Sequence, residues 1–194
     1  MRPEWELHTP RLRLRALVDA DAPDVFAYAS DPCVTRFVEW SPHSSVEDSV
    51  AFIRQTQAVR RRGATFAVEL VDGRRVIGTF ELRIRSQIDG VGEIGYVLAR
   101  PYWGQGFNLE AGVALLYYAF RVELLRRVDA RCAPQNRRSF RTLEKLGMRR
   151  VPEVATVGRE SAYARTHLMY SLTNLEWARH PLHSLWRDHI RCVR

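Results

Sequence analysis

Charge and leucine alternate along Arg11–Leu17, R-L-R-L-R-A-L, the period-two signature of a strand with one apolar and one wet face. Two further strand-like runs follow, Thr65–Leu70 and Arg75–Arg85, separated by Asp72-Gly73. Asp89-Gly90 joins the second run to a third, Val91–Leu98. Asp-Gly pairs suit tight hairpin turns, so the three runs predict an antiparallel meander. After Leu98 the period changes. Leu109, Val113, Leu116 and Phe120 recur in steps of four, three and four, which places them on one helical face. A turn containing Gly104 and Gly106 precedes that helix.

The remaining pattern fills in around this centre. Asp19 or Asp21 can cap a first helix, with Pro23 in its first turn and Val25, Phe26 and Ala29 facing the core. Asp31–Pro42 reads as an irregular segment holding Phe37, Val38 and Trp40. A second helix starts at Ser44 or Ser45, with Glu47 and Asp48 placed for a capping box and Val46, Val50 and Ile53 turned inward. It ends in Arg60-Arg61-Arg62 before Gly63, where cations suit the negative end of the helix dipole. Arg127–Cys132 alternates as another strand. Asn136 can cap a helix with Phe140, Leu143 and Leu146 on its apolar face, stopped by Gly147. Val151–Arg159 reads as loop and strand, forming a hairpin with a last strand in Ala164–Leu172. The body is read as residues 1–173. The tail, 174–194, with Trp177, Leu182, Leu185, Trp186 and Ile190, reads as a short amphipathic helix that docks on the body or on a second subunit.

Composition narrows the class. A chain of 194 residues with 46% hydrophobic content can bury one sizeable core. The longest apolar run, Val113–Phe120, is too short to span a bilayer, and the first residues, M-R-P-E-W-E-L-H, contain no apolar signal core. Cys33, Cys132 and Cys192 are too scattered for a disulfide frame or a zinc site, so a reducing, cytoplasmic setting is expected. His180, His183 and His189 lack the carboxylate or thiolate company of a metal set. A net charge of +8 fits anionic ligands, although the arginines are spread along the whole chain.

The strand–glycine turn–helix order at Glu93–Phe120 carries the chemistry. Backbone N–H groups at a helix start, with little side-chain bulk before them, form a seat for phosphate. No Gly-Lys-Ser/Thr is present, which excludes a P-loop, and Leu109 stands where a dinucleotide fingerprint needs its third glycine.

The run Trp103-Gly104-Gln105-Gly106-Phe107-Asn108 resembles the acyl-CoA pyrophosphate loop of the GCN5-related N-acetyltransferases, the GNAT family. Trp103 stands where that family's motif has Gln or Arg, and Asn108 where it has a small residue. A second stretch, Asn136-x-x-Ser139 through Glu144-Lys145-Leu146-Gly147-Met148, is similar to the family's second CoA motif. The spelling Tyr102-Trp103-Gly104-x-Gly106-Phe107-x-x-Glu110-Ala111 and the opening Thr9-Pro10-Arg11-Leu12 resemble the branch that acetylates the N-terminal alanine of ribosomal proteins.

The resemblance implies an α/β (α+β) fold. Its mixed, mostly antiparallel central sheet would have six to seven strands, splayed between the fourth and fifth and flanked by helices. It implies acetyl-CoA as cosubstrate, no metal, and a primary amine as acceptor, such as a ribosomal-protein N-terminus or a small-molecule amine, in a monomer or homodimer. Backbone from Trp103 to Leu109, thus including Gln105, Phe107 and Asn108, would grip the pyrophosphate. A bulge after Tyr96 would free Val97 and Leu98 to pair with pantetheine, with the Val97 N–H near the thioester carbonyl. Glu93 is the first candidate base, with Glu81 and Glu160 as rivals. Leu143 occupies the place of the family's tyrosine acid, which leaves Ser139 as its substitute. Asn136 would fix the CoA arm or cap its helix. Phe37, Trp40 and Glu81 would meet the acceptor. Two other readings stay open on the same fold: an idle acyl-CoA-binding or RNA-associated protein, and an antibiotic or polyamine acetyltransferase, which an acidic acceptor cleft would favour.

Overall fold

The structure, a computed structural model, describes residues 5–58, 63–152, 167–186 and 188–193. Nine strands form one sheet: β1 Glu6–His8, β2 Leu12–Ala16, β3 Gly63–Leu70, β4 Val76–Ser86, β5 Val91–Leu98, β6 Arg127–Cys132, β7 Arg149–Val151, β8 Leu168–Thr173 and β9 Arg191–Val193. Their order is β7-β8-β6-β5-β4-β3-β2-β1-β9. Among the described residues only β5 and β6 pair in parallel. A parallel pair needs a crossover, and helix α4, Phe107–Tyr117, provides it. A π turn, Tyr118–Val122, continues α4, and the Glu123 amide reaches back to the Tyr118 carbonyl at 3.0 Å.

The helices cover two faces. On one face lie α1 Ala22–Ala29, α2 Pro32–Thr35 and α3 Val46–Ala58. Val25, Tyr28 and Ile53 pack there on Leu17, Ala67 and Val76. On the other face α4 and α5, Arg137–Lys145, cover the larger core around Phe66, Phe80, Leu82, Leu115 and Leu143. Residues 110–116 of α4 are all buried, so its apolar stripe widened to the whole circumference. Tyr28 replaces Phe26 as the inward aromatic of α1.

The β2 strand departs from its expected wet face. Leu12 and Leu14 are buried as read, but Arg15 on the opposite side is nearly covered. It bonds Asp21 at 2.8 Å and Glu69 at 2.6 Å, and both carboxylates are buried. Asp21 is the N-cap residue of α1 but makes no side-chain cap bond there; its carboxylate accepts instead from Arg15 and from the Val18 amide. At α3 the capping acid is Asp48, which takes the Ser44 amide and hydroxyl. The arginines at 60–62 lie outside the described residues.

The sheet exceeds the expected six to seven strands because β1 and β9 join its far edge, with Leu7 opposite both Leu14 and Cys192. Each has three residues, too few to show a period. The expected single tail helix is two: α6 Asn174–Arg179, held by a Thr173–Glu176 capping box, and α7 Pro181–Trp186. Trp177 and Ile190 sink into the larger core.

The β5–β6 ladder runs from Val91↔Arg127 to Ile94↔Ala130 and stops, while β5 continues to Leu98. The splay therefore lies between the meander's last strand and the next, as the resemblance implied. Its cause is not a bulge after Tyr96. The β4–β5 ladder stays in register from Gly78↔Leu98 to Ile84↔Gly92, and its irregularity falls near Ser86.

Candidate active site

The glycine turn sits at the open end of this fork. Gly104 and Gly106 hold φ of 78° and 84°, a left-handed conformation that L side chains resist. Gly106 is the N-cap of α4 and supplies no side-chain cap. The Glu110 N–H donates to the Gly106 carbonyl at 3.0 Å, the bond that opens the helical ladder. The N–H groups of Phe107, Asn108 and Leu109 thus precede the helical ladder and remain open to a ligand.

The turn is braced from behind. Glu110, 1% exposed, accepts from the Thr9 hydroxyl at 2.7 Å, the Arg11 amide at 2.9 Å and Arg11 Nε at 2.6 Å. Arg11 also donates to the Gln105 carbonyl at 3.1 Å and lies over the Phe107 ring, 4.3 Å from its centre. This guanidinium balances a carboxylate that would otherwise oppose an anion at the helix start. The side chains of Gln105 and Phe107 turn away from the cleft: Gln105 bonds the Pro101 carbonyl and Phe107 packs in the core.

The fork has a defined edge. The Ala99 amide donates to the Ile77 carbonyl at 2.7 Å, which fixes the phase of the β4–β5 ladder. Antiparallel pairs alternate between bonded and non-bonded, so Val97, opposite Thr79, turns its backbone toward β4. The Val97 N–H is therefore unavailable to a thioester in the fork. Tyr96 and Leu98 present the free edge instead. The Trp103 indole N–H already takes the Leu98 carbonyl, 2.6 Å, and Arg138 lies 4.7 Å over its ring.

Across the fork, the Asn136 side chain accepts the Ser139 amide at 3.2 Å and caps α5. The Ser139 hydroxyl lies 3.0 Å from the Tyr96 hydroxyl, which also donates to the Ser139 carbonyl. The Tyr96 ring stacks on Phe80, 4.9 Å between centres. Burial pushes the Tyr96 phenol well above its ordinary value, and pushes the nearby Cys132 thiol up to about 11, opposed by its bond to Ser139. Leu143 is fully buried, so that helix position offers no acid.

A cleft of about 900 Å³ joins this wall to the α1–α3 side of the sheet. Phe37 and Trp40 line that second half, together with His43, whose imidazole burial holds below its ordinary value. Glu81 and Glu93 line it too, but each is paired. Glu81 is 2.9 Å from Arg83; Glu93 is 3.0 Å from Arg85 and 3.8 Å from Arg131. Glu160 lies outside the described residues.

Residues 11–149 match the family model of the acetyltransferase (GNAT) domain. The chain belongs to the GNAT acetyltransferases. The uncharacterized N-acetyltransferase p20 of Bacillus licheniformis is 30% identical over 174 residues, 89% of this chain and 98% of that protein. The ribosomal protein uS5-alanine N-acetyltransferase of Escherichia coli is 25% identical over 185 residues, 90% of this chain and 94% of that one. Mycobacterium smegmatis RimJ, solved in complex with CoA-disulfide, has the same fold, with a TM-score of 0.77 at 21% identity over 97% of each chain.

As a GNAT enzyme, the chain has the acetyltransferase activity of its family. The geometry gathers Gly104, Gly106, Asn108, Leu109, Asn136 and Ser139 around one half of the cleft and Phe37, Trp40, Glu81 and Glu93 around the other. Sequence patterns missed the Tyr96–Ser139 pair, the Thr9–Arg11–Glu110 brace, and the arginines beside both glutamates. Thr9, Arg11 and Glu110 were visible as motif letters, but nothing in their spacing showed contacts about 100 residues apart in the chain.

Proposed function

We propose that this GNAT enzyme moves an acetyl group from acetyl-CoA to a primary amine, a protein N-terminus or a small-molecule amine, by direct transfer with both substrates bound. The observation that carries this is the conjunction of a braced, uncapped start of α4 with a parted β5–β6 pair opening onto one cleft. When bound, acetyl-CoA supplies an activated acetyl group.

The residues present fit it. The amides of Phe107 to Leu109, with Gly104 leaving open space beside them, would hold the pyrophosphate. The free backbone edge at Tyr96 and Leu98 would meet the pantetheine, with the Leu98 carbonyl already committed to Trp103. Ser139, oriented by Tyr96, would donate its proton toward the departing sulfur. The buried, high-pKa Tyr96 fits a fixed hydrogen-bond partner better than a net proton source. The acceptor ammonium must lose a proton before attack, and Glu81 or Glu93, through water, would receive it; Glu160 stays a rival. A cytoplasmic setting belongs to the same proposal, supported by three free cysteines.

The experiment is CoA release on mixing the protein with acetyl-CoA and an amine panel that includes ribosomal-protein N-terminal peptides. Turnover with at least one amine is expected. Leu143 in the tyrosine position favours one competing function, an idle acyl-CoA binder. Tight acetyl-CoA binding with no turnover on any amine would establish that binder and end the transfer proposal.

A further inference from the structure

The acceptor half of the cleft has a charged floor that coenzyme binding does not explain. Glu81 and Arg83 on β4, Glu93 on β5 and Arg131 on β6 line it. Arg83 also feels the charges of Glu93 and of Glu39 across the cleft. Both Glu81 and Glu93 have a guanidinium within 3.0 Å. The arginines are less fully used. Nε of Arg83 is taken by Glu81 at 2.9 Å, whereas Nε of Arg131 is buried without a hydrogen bond among the described residues, 3.8 Å from Glu93, and neither contact uses the terminal Nη groups. A guanidinium carries five donors, so both retain capacity for an anion.

Their position matters more than their number. A methyl built on Gly95 would meet only the Arg83 guanidinium, 3.8 Å away. Arg83 therefore lies over Gly95, the first β5 residue past the last β5–β6 pair, Ile94↔Ala130. Arg131 is the first β6 residue past the same pair. Two guanidiniums bracket the mouth of the fork on the acceptor side, where the reacting amine must arrive.

We infer that the acceptor carries a carboxylate within a few bonds of its amine, received by Arg83 and Arg131 while the amine faces Glu81. The inference rests on the acetyl-transfer proposal and adds its substrate class. A polyamine fits poorly, because its extra cations would meet these arginines and glutamates already paired. A free α-amino acid and a peptide with an acidic residue near its N-terminus share the required chemistry.

The test uses the full chain with acetyl-CoA and follows CoA release. Glycine and alanine are compared with glycinamide and alaninamide, Asp- and Glu-initiated peptides with their Asn and Gln counterparts, and spermidine is run beside them. The carboxylate member of a pair should lead by roughly 10- to 100-fold in kcat/KM, the range for a hydrogen bond to a charged group. Whether the free amino acids or the peptides show the gap identifies the source. Arg131→Gln should erase the preference through KM, Arg131→Lys should restore part of it, and Arg131→Glu should shift it toward spermidine. Acetyl-CoA affinity, measured by calorimetry on every variant, reports an intact coenzyme site. Equal rates within each pair, or spermidine as the best acceptor of the wild type, would overturn the inference and leave acetyl transfer standing. An equal loss of kcat on all acceptors in Arg83→Gln would also overturn it, since Arg83 would then serve the thioester. No turnover on any amine, with acetyl-CoA bound, would sink the transfer proposal and this inference together.

Discussion

The two halves of the cleft are built from different material. The coenzyme wall is mostly backbone: amides at the start of α4, the free edge at Tyr96 and Leu98, and one hydroxyl pair. The acceptor floor is side chains, with glutamates and arginines interleaved on adjacent strands. Backbone sites depend on turns and glycines, which sequence displays. Side-chain lattices depend on register across strands, which it does not. The first half can be shared among relatives with different substrates, whereas the second can change by single substitutions.

The largest effect should come from breaking the backbone half. Gly106→Val forces a β-branched residue into φ near 84°, while the space beside it is nearly free, so the cost is conformational. Strain of about 1–3 kcal/mol at that turn should weaken acetyl-CoA binding by up to about 100-fold. Calorimetry reads the affinity, and circular dichroism checks that the fold survives. Unchanged affinity would remove the turn from the coenzyme site.

Next is the brace. Glu110→Ala should destabilise the protein by about 2 kcal/mol or more, through the loss of three bonds to a buried carboxylate. Thermal melting reads it, with acetyl-CoA affinity falling in parallel. If the affinity held while the melting point dropped, the brace would serve stability alone.

Ser139→Ala should lower kcat by about 10-fold or more with little change in the KM for acetyl-CoA. Tyr96→Phe should act in the same direction and less strongly, because the serine remains but loses its partner. A wild-type kcat in Ser139→Ala would leave that hydroxyl without a role in transfer.

The smallest effect concerns Cys132, whose buried thiol keeps its proton up to about pH 11 in the folded chain against an ordinary 9.0. Above pH 9 the unfolded thiol ionises while the folded one does not. Its contribution to stability is therefore intact below pH 9 and is lost as pH rises toward 11. The melting point of the wild type should fall relative to that of Cys132→Val between pH 8 and pH 10.5.

The sequence displayed the parts with a short repeat or a local turn. The meander, the two glycines, the Asn136 cap and the order of strand, turn and helix could all be read from neighbours in the chain. Arg15 misled, because period-two patterning marks which face a residue takes and says nothing about what covers that face. Two buried carboxylates, one of them 54 residues away, made it an interior cation. Val97 misled in a related way. Which backbone edge is free depends on the phase of the β4–β5 ladder, and one hydrogen bond at Ala99 decided it. Glu81 and Glu93 were visible as acids, but their arginine partners follow from register.

Trp103 stands where these two materials meet. Elsewhere the sheet is a partition between the cores on its two faces. At the parting of β5 and β6 the partition ends, and among the described residues Trp103 alone packs against both hydrophobic clusters. The indole works as a rivet through the gap, so truncating it would open voids above and below the sheet at once, and its fluorescence offers one optical probe for both compartments.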